Sequence, residues 1–422
     1  MTQMKPRGLG VLLGALGLAL GAVSIPSAMA GTAHKAQSAP ADSVITGGQI
    51  GAAAKTPAAG DVWGTTWADD GNLYSVGDDA QGWPTGPACN NNFLIAQETG
   101  SPQTGATVPQ LTGTNVNCMS GYGAAGAQSP SGGAGSLEKP PTNPAGYSLP
   151  ENWKGVNTIS IGGVLYASIA RMIYQENGHR QYVMSSTIIK STDHGETWTP
   201  DETHNRLSPM FSDQGFAPYF IQYGQDDNTQ STADGGDQYV YAVSNDGYYH
   251  SGSYEILGRV LRSKMGNLSG ADWQFYNGGP GEQDSSWGTL DQAKPIIWNS
   301  HRISTTGAIY DAPLHMYVMM QWYWGFTYKS GSLQFSFNDS DWTAYSSPKP
   351  WGPWHPFWTH AWGPALTDPL GHSDTPGWYG AEFVPKFISP DGRHLVVFAA
   401  SLFGGSAGNY GLTEFPFTIN GG

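Results

Sequence analysis

Five aspartates near the start of the chain are the residues whose types and spacing could best support chemistry. They are Asp61, Asp69, Asp70, Asp78 and Asp79, and two tryptophans lie between them in the segment DVWGTTWADDGNLYSVGDD. Carboxyl groups gathered at one edge of a sheet, with indole rings nearby, would suit carbohydrate chemistry. The residue types therefore predict a saccharide site, provided that the fold brings some of these acids together.

A β-hairpin would position them. Asp69-Asp70-Gly71-Asn72 is a turn sequence, because Asp-Gly readily adopts the positive φ angles of a tight turn. The flanking segments carry the β-branched and aromatic residues typical of strands. The hairpin leaves Asp69 and Asp70 at the turn and brings Asp61 to the same edge as Asp78 and Asp79. We therefore predict Asp61, Asp78 and Asp79 as catalytic candidates.

Composition excludes several classes of partner. Residues 1–30 read as a signal sequence: Lys5 and Arg7 precede an apolar run, and Ala28-Met29-Ala30 fits a cleavage site. Removing this segment leaves 17 basic residues against 33 acidic ones, a formal net charge of −16. Such a balance argues against nucleic acid and anionic membranes as partners. We predict an exported protein, extracellular or periplasmic, whose oligomeric state the sequence does not indicate.

The mature chain reads as one domain. Residues 31–58 are small and polar and predict a flexible leader, and residues 59–422 show no convincing internal boundary. A Gly/Ser/Pro-rich insertion is predicted near residues 100–149. Cys89 and Cys118 are the only cysteines, and in an oxidising compartment we expect them to form a disulfide.

A degenerate repeat indicates the fold. Five segments combine an apolar residue, an aromatic one and then small or β-branched residues, at intervals of 75 to 92 residues. Each interval has room for four strands. The pattern predicts an all-β fold, a five-bladed β-propeller with four-stranded antiparallel blades. The aromatic residues at the repeat are Tyr74, Tyr166, Tyr241, Tyr317 and Phe398.

The tryptophans have two interpretations. Their faces could stack on sugar rings, but large aromatic residues also fill the space between propeller blades, and packing is the expectation for each taken singly. A cluster that lines one mouth of the ring is expected nevertheless. The candidates for substrate binding are Trp67, Trp83, Trp322, Trp324 and Arg171.

The segment 191–198, Ser-Thr-Asp-His-Gly-Glu-Thr-Trp, matches the Asp-box pattern at every fixed position. In that hairpin turn the aspartate binds backbone N–H groups, the glycine allows the turn and the tryptophan packs beneath. Asp193, Gly195 and Trp198 are therefore predicted to be structural. The motif occurs in sialidases and in many other propellers, on the side away from the active site.

Other motifs lack the context that their chemistry needs. Residues 121–126 spell G-x-G-x-x-G without a preceding strand, and residues 404–408 spell G-x-S-x-G without a following helix. The histidines show no metal-ligand spacing. We predict no cofactor and no metal site; carboxylates are available for a structural calcium ion in the channel, but no loop has EF-hand spacing.

The opening hairpin, Asp61-x-x-x-Thr65-Thr66-Trp67-Ala68-Asp69-Asp70-Gly71-x-Leu73-Tyr74-x-x-Gly77-Asp78, resembles the domain of unknown function 4185 family, exported five-bladed propellers related to glycosidases. Short matches continue along most of the mature chain, among them residues 162–166, 254–260, 350–354 and 385–392. Some members are endo-D-arabinanases, and the resemblance implies that Asp61 and Asp78 correspond to their catalytic aspartates. The chain differs from those enzymes at Val62-Trp63 and at Asp79.

The resemblance implies a secreted glycoside hydrolase that acts on a polysaccharide, of furanoside or arabinan type. Asp61 would be the base and Asp78 its acidic partner, with Asp213, Glu255 and Glu282 as candidates for a third acid. A non-catalytic carbohydrate-binding propeller is the first alternative. A sialidase-like exo-glycosidase is the second, and it would need three convergent arginines where only seven remain after signal removal.

Overall fold

The computed structural model is nearly all-β with few helices. The predicted signal sequence and the first part of the predicted leader lie outside the described residues. Within those residues, no helix combines the length and apolar character that a membrane crossing requires. The structure describes residues 45–89, 94–100, 107–118, 152–175, 180–199, 209–212, 215–279, 281–282, 286–304, 306–329, 332–362, 378–401 and 411–421.

The strands follow one another in short antiparallel groups. The chain begins with β1 (Ile45–Ile50) and β2 (Ala54–Lys55). The first unit holds β3 (Ala59–Trp67), β4 (Leu73–Gly82), β5 (Leu94–Thr99) and β6 (Thr112–Cys118). The second holds β7 (Asn152–Ile161), β8 (Val164–Gln175), β9 (Arg180–Ser191) and β10 (Phe211–Ser212).

The third unit holds β11 (Tyr219–Gln222), β12 (Tyr239–Asn245), β13 (Gly252–Leu261), β14 (Trp273–Tyr276), β15 (Trp287–Gly288) and β16 (Ile297–Ile303). The fourth holds β17 (Ala308–Asp311), β18 (Met316–Lys329), β19 (Ser332–Ser347) and β20 (His355–Ala361). The fifth holds β21 (Tyr379–Phe383), β22 (His394–Ser401) and β23 (Gly411–Gly421). The helices are α1 (Arg262–Met265) and the 3-10 turns Gln225–Asp227, Thr232–Asp234, Gly270–Asp272, Leu290–Gln292 and Pro385–Phe387.

Among the described residues, these five units form four hydrogen-bonded sheets. Units one and two are separate four-stranded sheets, and the third and fourth are joined by parallel pairing of β11 with β17. In the sheet of the fifth unit, β1 and β2, the first described strands, pair with β23, the last described strand. Both ends of the described chain are therefore fixed in one sheet.

The first strands of the units contact one another in a closed series. β3 contacts β7, β7 contacts β11, β11 contacts β17, β17 contacts β21 and β21 contacts β3. The backbones approach closely here: a Cβ on Gly64 would lie 2.6 Å from Cα of Asn157, so only glycine fits between β3 and β7. The first strands consequently surround a common centre.

These first strands all run in the same direction. At their starts, Lys154 of β7 contacts Asp78, the cross-strand partner of Asp61. At their ends, Ser160 N–H donates to Oγ1 of Thr66 (3.0 Å), and Lys386, just after β21, donates to the carbonyl of Gly71 (2.7 Å). The end of β11 lies with these ends, because Asp226 accepts from the N–H of Gly163 after β7 (3.0 Å), and β17 is parallel to β11. We call the end where the first strands begin the upper face and the opposite end the lower face.

The repeated aromatic position falls on the second strand of every unit. Each second strand lies inside its sheet, with a paired strand on either side. Side chains on the faces of such an inner strand pack against neighbouring sheets and bury apolar surface. All five aromatic residues at this position are buried, on β4, β8, β12, β18 and β22 in turn. The repeat in the sequence therefore marks the second strand of each unit.

The prediction that residues 31–58 form a flexible leader is wrong for the described residues 45–50. Ile45–Ile50 is β1, whose register with β23 runs from Ile45 opposite Gly421 to Ile50 opposite Phe417. The small polar residues of this strand give no strand pattern in the sequence. The strand lies at the edge of its sheet, and main-chain hydrogen bonds hold it there rather than a buried apolar stripe. The structured chain thus begins before residue 59.

The predicted insertion near residues 100–149 is wrong for Thr112–Cys118. This segment is β6, the outer strand of the first unit. It pairs with β5, and the register runs from Leu94 opposite Cys118 to Thr99 opposite Thr112. Its final residue forms the disulfide with Cys89. Residues 101–106 and 119–149 of the predicted insertion lie outside the described residues.

Candidate active site

Asp61 and Asp78 face each other across the opening hairpin. They are direct cross-strand partners on β3 and β4, near the upper face. Side chains in such a pair lie on the same side of the sheet, with Cβ atoms about 4.5–5.5 Å apart. Asp61 is 5% exposed and Asp78 is fully buried. Two buried carboxyl groups directly opposite each other disfavour folding, so their presence here points to a functional role.

The backbone around Asp61 is irregular. The ladder shifts register on both sides of Asp61, and the flanking residues Gly60 and Val62 have φ angles of 144° and 37°. Positive φ is unfavourable for a β-branched residue such as Val62 and costs about 1–3 kcal/mol. Bulges of this kind reorient a side chain, and strain persists where the surrounding structure holds it. The strand is therefore distorted at the residue that carries the carboxylate.

Lys154 provides the nearest positive charge. Its Nζ donates to Oδ2 of Asp78 at 2.8 Å, and the two side chains are 3% and 1% exposed. An ammonium group at this distance stabilises the ionised carboxylate. Because burial removes solvent screening, the pair interacts strongly, and loss of either partner would leave an uncompensated buried charge.

Three tyrosines complete the surroundings of the pair. Burial, followed by the charges of Asp61 and Asp78, raises the pKa of Tyr249 well above its usual value, and Tyr219 and Tyr379 act in the same direction. The phenol of Tyr249 therefore stays protonated and can act as a hydrogen-bond donor. Tyr219 and Tyr379 are the first residues of β11 and β21, so three units contribute to this group. Tyr249 thus lies near both carboxyl groups, and Tyr219 and Tyr379 lie near Tyr249.

A buried hydrogen-bond network lies farther along the first strands. Glu382 Oε1 accepts from the N–H of Thr65 (2.7 Å), and its Oε2 accepts from Nδ2 of Asn157 (3.2 Å). Oδ1 of Asn157 accepts from the N–H of Phe220 (3.1 Å), and Gln222 Nε2 donates to the carbonyl of Thr65. Burial raises the pKa of Glu382 to about 8, although these hydrogen bonds lower it. This network connects the first strands of units one, two, three and five beneath the acids.

The structure separates the predicted tryptophans. Trp67 lies at the far end of β3, next to the turn, and Trp83 is buried in the outer part of the first unit, where its Nε1 donates to Glu98 (3.2 Å). Trp322 is fully buried, and its ring centroid is 5.8 Å from those of Tyr249 and Tyr379. Trp322 therefore supports the tyrosines around the acids, whereas Trp67 and Trp83 do not approach them.

The remaining candidates lie outside the acid pair. Asp79 follows Asp78 in β4, Trp324 belongs to β18, and Arg171 is buried on β8, opposite Trp153. Because neighbouring strand residues point to opposite faces, Arg171 and Ala170, the partner of Lys154, face different sides of the second unit.

The candidates for a third acid lie in different surroundings. Asp213 lies outside the described residues. Glu282 accepts from the N–H of Gly279 (2.8 Å) in an exposed turn. Glu255 is buried on β13 and accepts from Nε2 of Gln321 (2.8 Å); burial raises its pKa well above the usual value, despite that hydrogen bond.

The turn acids lie on the lower face, far from Asp61. Asp69 Oδ1 contacts Nε2 of His194 at 2.8 Å, and Asp193 accepts from the N–H of Thr197 (2.9 Å). In the same turn, Gly195 has φ 92° and its carbonyl accepts from Nε1 of the buried Trp198 (2.9 Å). In the described part of the chain, the His/Asp group that could hold a metal ion is Asp69, Asp70 and His194, and it lies here rather than beside the acid pair.

Sequence reasoning missed Lys154 and the tyrosines. A positional signal was present for one of them: Lys154 is the third residue of β7, as Asp61 is the third residue of β3. Tyr219 and Tyr379 are likewise at the starts of first strands. The common feature of the site is therefore a polar residue near the start of four first strands, which only alignment of the repeated units would have identified.

The arrangement can support acid–base chemistry on a ligand with many hydroxyl groups. It offers two carboxyl groups that face each other, one of them bonded to an ammonium group, and a protonated phenol that can donate a hydrogen bond. These are the groups that saccharide recognition and glycosidic bond hydrolysis require.

No family model and no curated protein sequence matches the chain. It is similar to solved structures of a mutant of the GH43 protein BlXynB from Bacillus licheniformis (13% identity, TM-score 0.46) and of the arabinanase Arb43A from Bacillus subtilis (11%, 0.40). The aligned region covers 88% of this chain and 57% of the former, and 86% of this chain and 95% of the latter.

A subtype N11 neuraminidase-like protein from an isolate of a flat-faced bat from Peru is also similar, with 12% identity and a TM-score of 0.36 over 90% of this chain and 96% of that one. The chain spans little more than half of the GH43 protein. All three TM-scores are below 0.5, so the functional argument rests on the side chains of the site.

Proposed function

We propose that the protein is an exported glycoside hydrolase that acts on a polysaccharide by carboxylate acid–base catalysis, with Asp61 and Asp78 as the catalytic residues. The five units would be the blades of a five-bladed β-propeller of the domain of unknown function 4185 type, and residues 1–30 its signal sequence. The observation that carries the proposal is the direct cross-strand pairing of Asp61 with Asp78 at the upper face.

The contact between Lys154 and Asp78 supports a division of roles. An ammonium group 2.8 Å from Asp78 favours its carboxylate form, and a negative charge directly opposite Asp61 favours the protonated form of Asp61. Asp61 retains solvent access, at 5% exposure. We therefore assign both proton transfers to Asp61: it protonates the leaving glycosidic oxygen as the bond to the anomeric carbon breaks, and it then takes a proton from the attacking water, while the carboxylate of Asp78 stabilises the positive charge of the transition state. The substrate would be of the furanoside or arabinan type that the resemblance implies.

A polysaccharide panel tests the proposal. Purified mature protein is incubated with arabinan, arabinogalactan, xylan and mycobacterial-type arabinan, and new reducing ends are measured. We expect release from at least one polymer and a fall of at least about 100-fold for Asp61→Asn and for Asp78→Asn. Circular dichroism and thermal melting check the fold of both variants, and Asp61→Asn is the more direct test, because Asp78→Asn also leaves Lys154 buried without its charged partner. Full activity in both variants, or no release from any polymer, would contradict the assignment. NMR of the first anomer formed distinguishes inversion from retention.

One observation favours a carbohydrate-binding protein without catalysis. Asp78 is fully buried and bonded to Lys154, and only a small part of Asp61 is exposed, which limits access to a scissile bond. A protein of this kind would retain a polymer without releasing reducing ends. Affinity electrophoresis of the same panel separates the two functions, because binding without release identifies the second.

A further inference from the structure

Trp298 is the large hydrophobic residue that the structure leaves exposed among the described residues. It lies on β16 and is 66% exposed. Burial of a side chain of this size would stabilise the fold by a few kcal/mol, on the order of 1.5–3 for large apolar residues. Single exposed apolar residues are common on surfaces, so exposure alone identifies nothing. The surroundings of Trp298 provide the further information.

The indole is held by a second aromatic ring. Trp298 is the direct cross-strand partner of Tyr254 on β13. The two rings are stacked, with centroids 5.5 Å apart and an angle of 16° between their planes. Tyr254 thus covers one face of the indole and fixes its orientation, and the 66% exposure leaves the other face open to solvent. An aromatic surface that is already ordered loses little conformational entropy when a ligand binds.

This stack lies on the upper face, on the same side of the ring as the acid pair. β13 runs parallel to β11, because β12 is antiparallel to both, and β16 pairs with the beginning of β13. Three strand spacings of about 4.8 Å separate β11 from β16, which puts Trp298 about 14 Å outward from the central strands. A chain bound at Asp61 and extending outward over the third unit would reach it.

Packed residues connect the two places. Glu255, next to Tyr254, accepts from Nε2 of Gln321 (2.8 Å), and Gln321 adjoins Trp322 on β18. Trp322 in turn contacts Tyr249, beside the acids. The position of the stack relative to the acid pair is therefore set by buried side chains rather than by a loose loop.

The surroundings select the class of ligand. The chain has a formal net charge of −14, which opposes stacking with nucleic-acid bases. The neighbours Asn299, Ser300 and His301 are polar and Arg302 is paired with Asp341, so there is no apolar patch for a protein partner on this strand. A single open indole face beside polar side chains suits a neutral sugar ring, which presents C–H groups to the aromatic face and hydroxyl groups to its rim.

We propose that Trp298, stacked on Tyr254, is a remote sugar-binding subsite that holds a neutral polysaccharide chain which extends from the Asp61–Asp78 pair. This inference rests on the proposed function for the identity of the chain. The Trp298 subsite contributes to the binding of long substrates only, because short oligosaccharides that occupy only the acid pair do not reach it.

Affinity electrophoresis of the full mature protein tests this subsite. Native gels contain one soluble polymer each from the panel, and migration is compared for wild type, Trp298→Ala, Trp298→Phe and Ser300→Ala. We expect retardation of wild type in at least one gel, an apparent dissociation constant about ten-fold higher for Trp298→Ala, and near-normal binding for Trp298→Phe, which keeps an aromatic face. Ser300→Ala is the matched control, because Ser300 is an exposed residue of the same strand.

A further comparison separates this inference from the proposed function. Asp61→Asn should retain the retardation, because Trp298 does not take part in catalysis. Where reducing ends are released, Trp298→Ala should raise KM for the polymer about ten-fold and leave kcat/KM for a short oligosaccharide unchanged. Binding that falls in Trp298→Ala while no polymer is cleaved would support the subsite and contradict the hydrolase. Equal binding by wild type and Trp298→Ala, or no retardation in any gel, would overturn the subsite.

Discussion

Lys154 donates a 2.8 Å hydrogen bond from Nζ to Oδ2 of Asp78, and both side chains are almost completely buried. The two residues are separated by 76 positions in the sequence and belong to different units. A buried ion pair of this kind gives little net stability relative to apolar residues, but breaking it is costly. The Lys154–Asp78 pair therefore indicates that function, rather than stability, requires a charged carboxylate at this place.

Replacing Lys154 by Met removes the cation and keeps the length of the side chain. The expected result is a loss of about 3–5 kcal/mol in the free energy of unfolding, because Asp78 is left buried without its partner. Urea denaturation measures it. Lys264→Met is the matched control: its pair with Asp272 lies at the surface, where solvent screens the charges, and its removal should cost much less. Equal losses in the two variants would contradict the role of the buried pair.

Gly60→Ala tests the distorted backbone before Asp61. Gly60 has φ 144°, and a Cβ there would lie 2.4 Å from Cβ of Ala80, so the strand must move and Asp61 with it. We expect a loss of more than about 2 kcal/mol and lower activity in the polysaccharide assay. Gly162→Ala serves for comparison, since Gly162 has φ 60° with open space around it, and alanine should cost only about 1–2 kcal/mol there. A smaller effect at Gly60 than at Gly162 would show that the backbone adapts freely.

Glu382 should make stability depend on pH. Burial raises its pKa to about 8, from the ordinary value of 4.5, so between these values the folded protein holds a proton that the unfolded chain releases. The free energy of unfolding therefore decreases as pH rises through this window, by up to about 1.4 kcal/mol per pH unit for one proton.

Glu382→Gln should reduce that slope by about one proton, measured by urea midpoints from pH 5 to pH 8. Burial also raises the pKa of Glu98 to about 8 and that of Asp311 to about 7, so some dependence of the same sign remains. Glu196→Gln, at an exposed position, is the control and should leave the slope unchanged. A slope that is the same in Glu382→Gln as in wild type would mean that Glu382 is ionised in the folded protein.

The disulfide should stabilise the first unit. Cys89 and Cys118 are 29 residues apart, and closure of such a loop is worth about 3.5 kcal/mol in the chain-entropy model. The double variant Cys89→Ser/Cys118→Ser should lose about that amount in urea denaturation. Wild type treated with reductant should match the variant, and a stability unaffected by both changes would show that β6 is held by its ladder alone.

The sequence by itself determined the local features of this protein. The Asp-Gly turn and the flanking strand residues predicted the hairpin, which brings Asp61 to the same edge as Asp78 and Asp79. The direct pairing with Asp78 depends on the register shift between Asp61 and Trp63, because the regular register of the hairpin would bring Asp61 opposite Asp79. The recurring aromatic position predicted five similar segments, and each falls on the second strand of a unit. Such features follow from residues close together in the chain, where turn geometry and strand pairing act directly. Edge strands such as β1 escaped prediction because main-chain pairing, which leaves no side-chain pattern, holds them.

Only the tertiary structure decided which residues surround the acids. Lys154, Tyr219, Tyr249 and Tyr379 come from three other units and meet Asp61 and Asp78 because the first strands run in the same direction around a common centre. The same geometry sends Asp69 and Asp70 to the opposite face, although they are closer in sequence to Asp61 than any of these residues. The exposure of each side chain also depends on contacts between distant segments, and no local pattern encodes it. This applies to the buried carboxyl groups, whose pKa values change with burial, and to Trp298, which stays exposed.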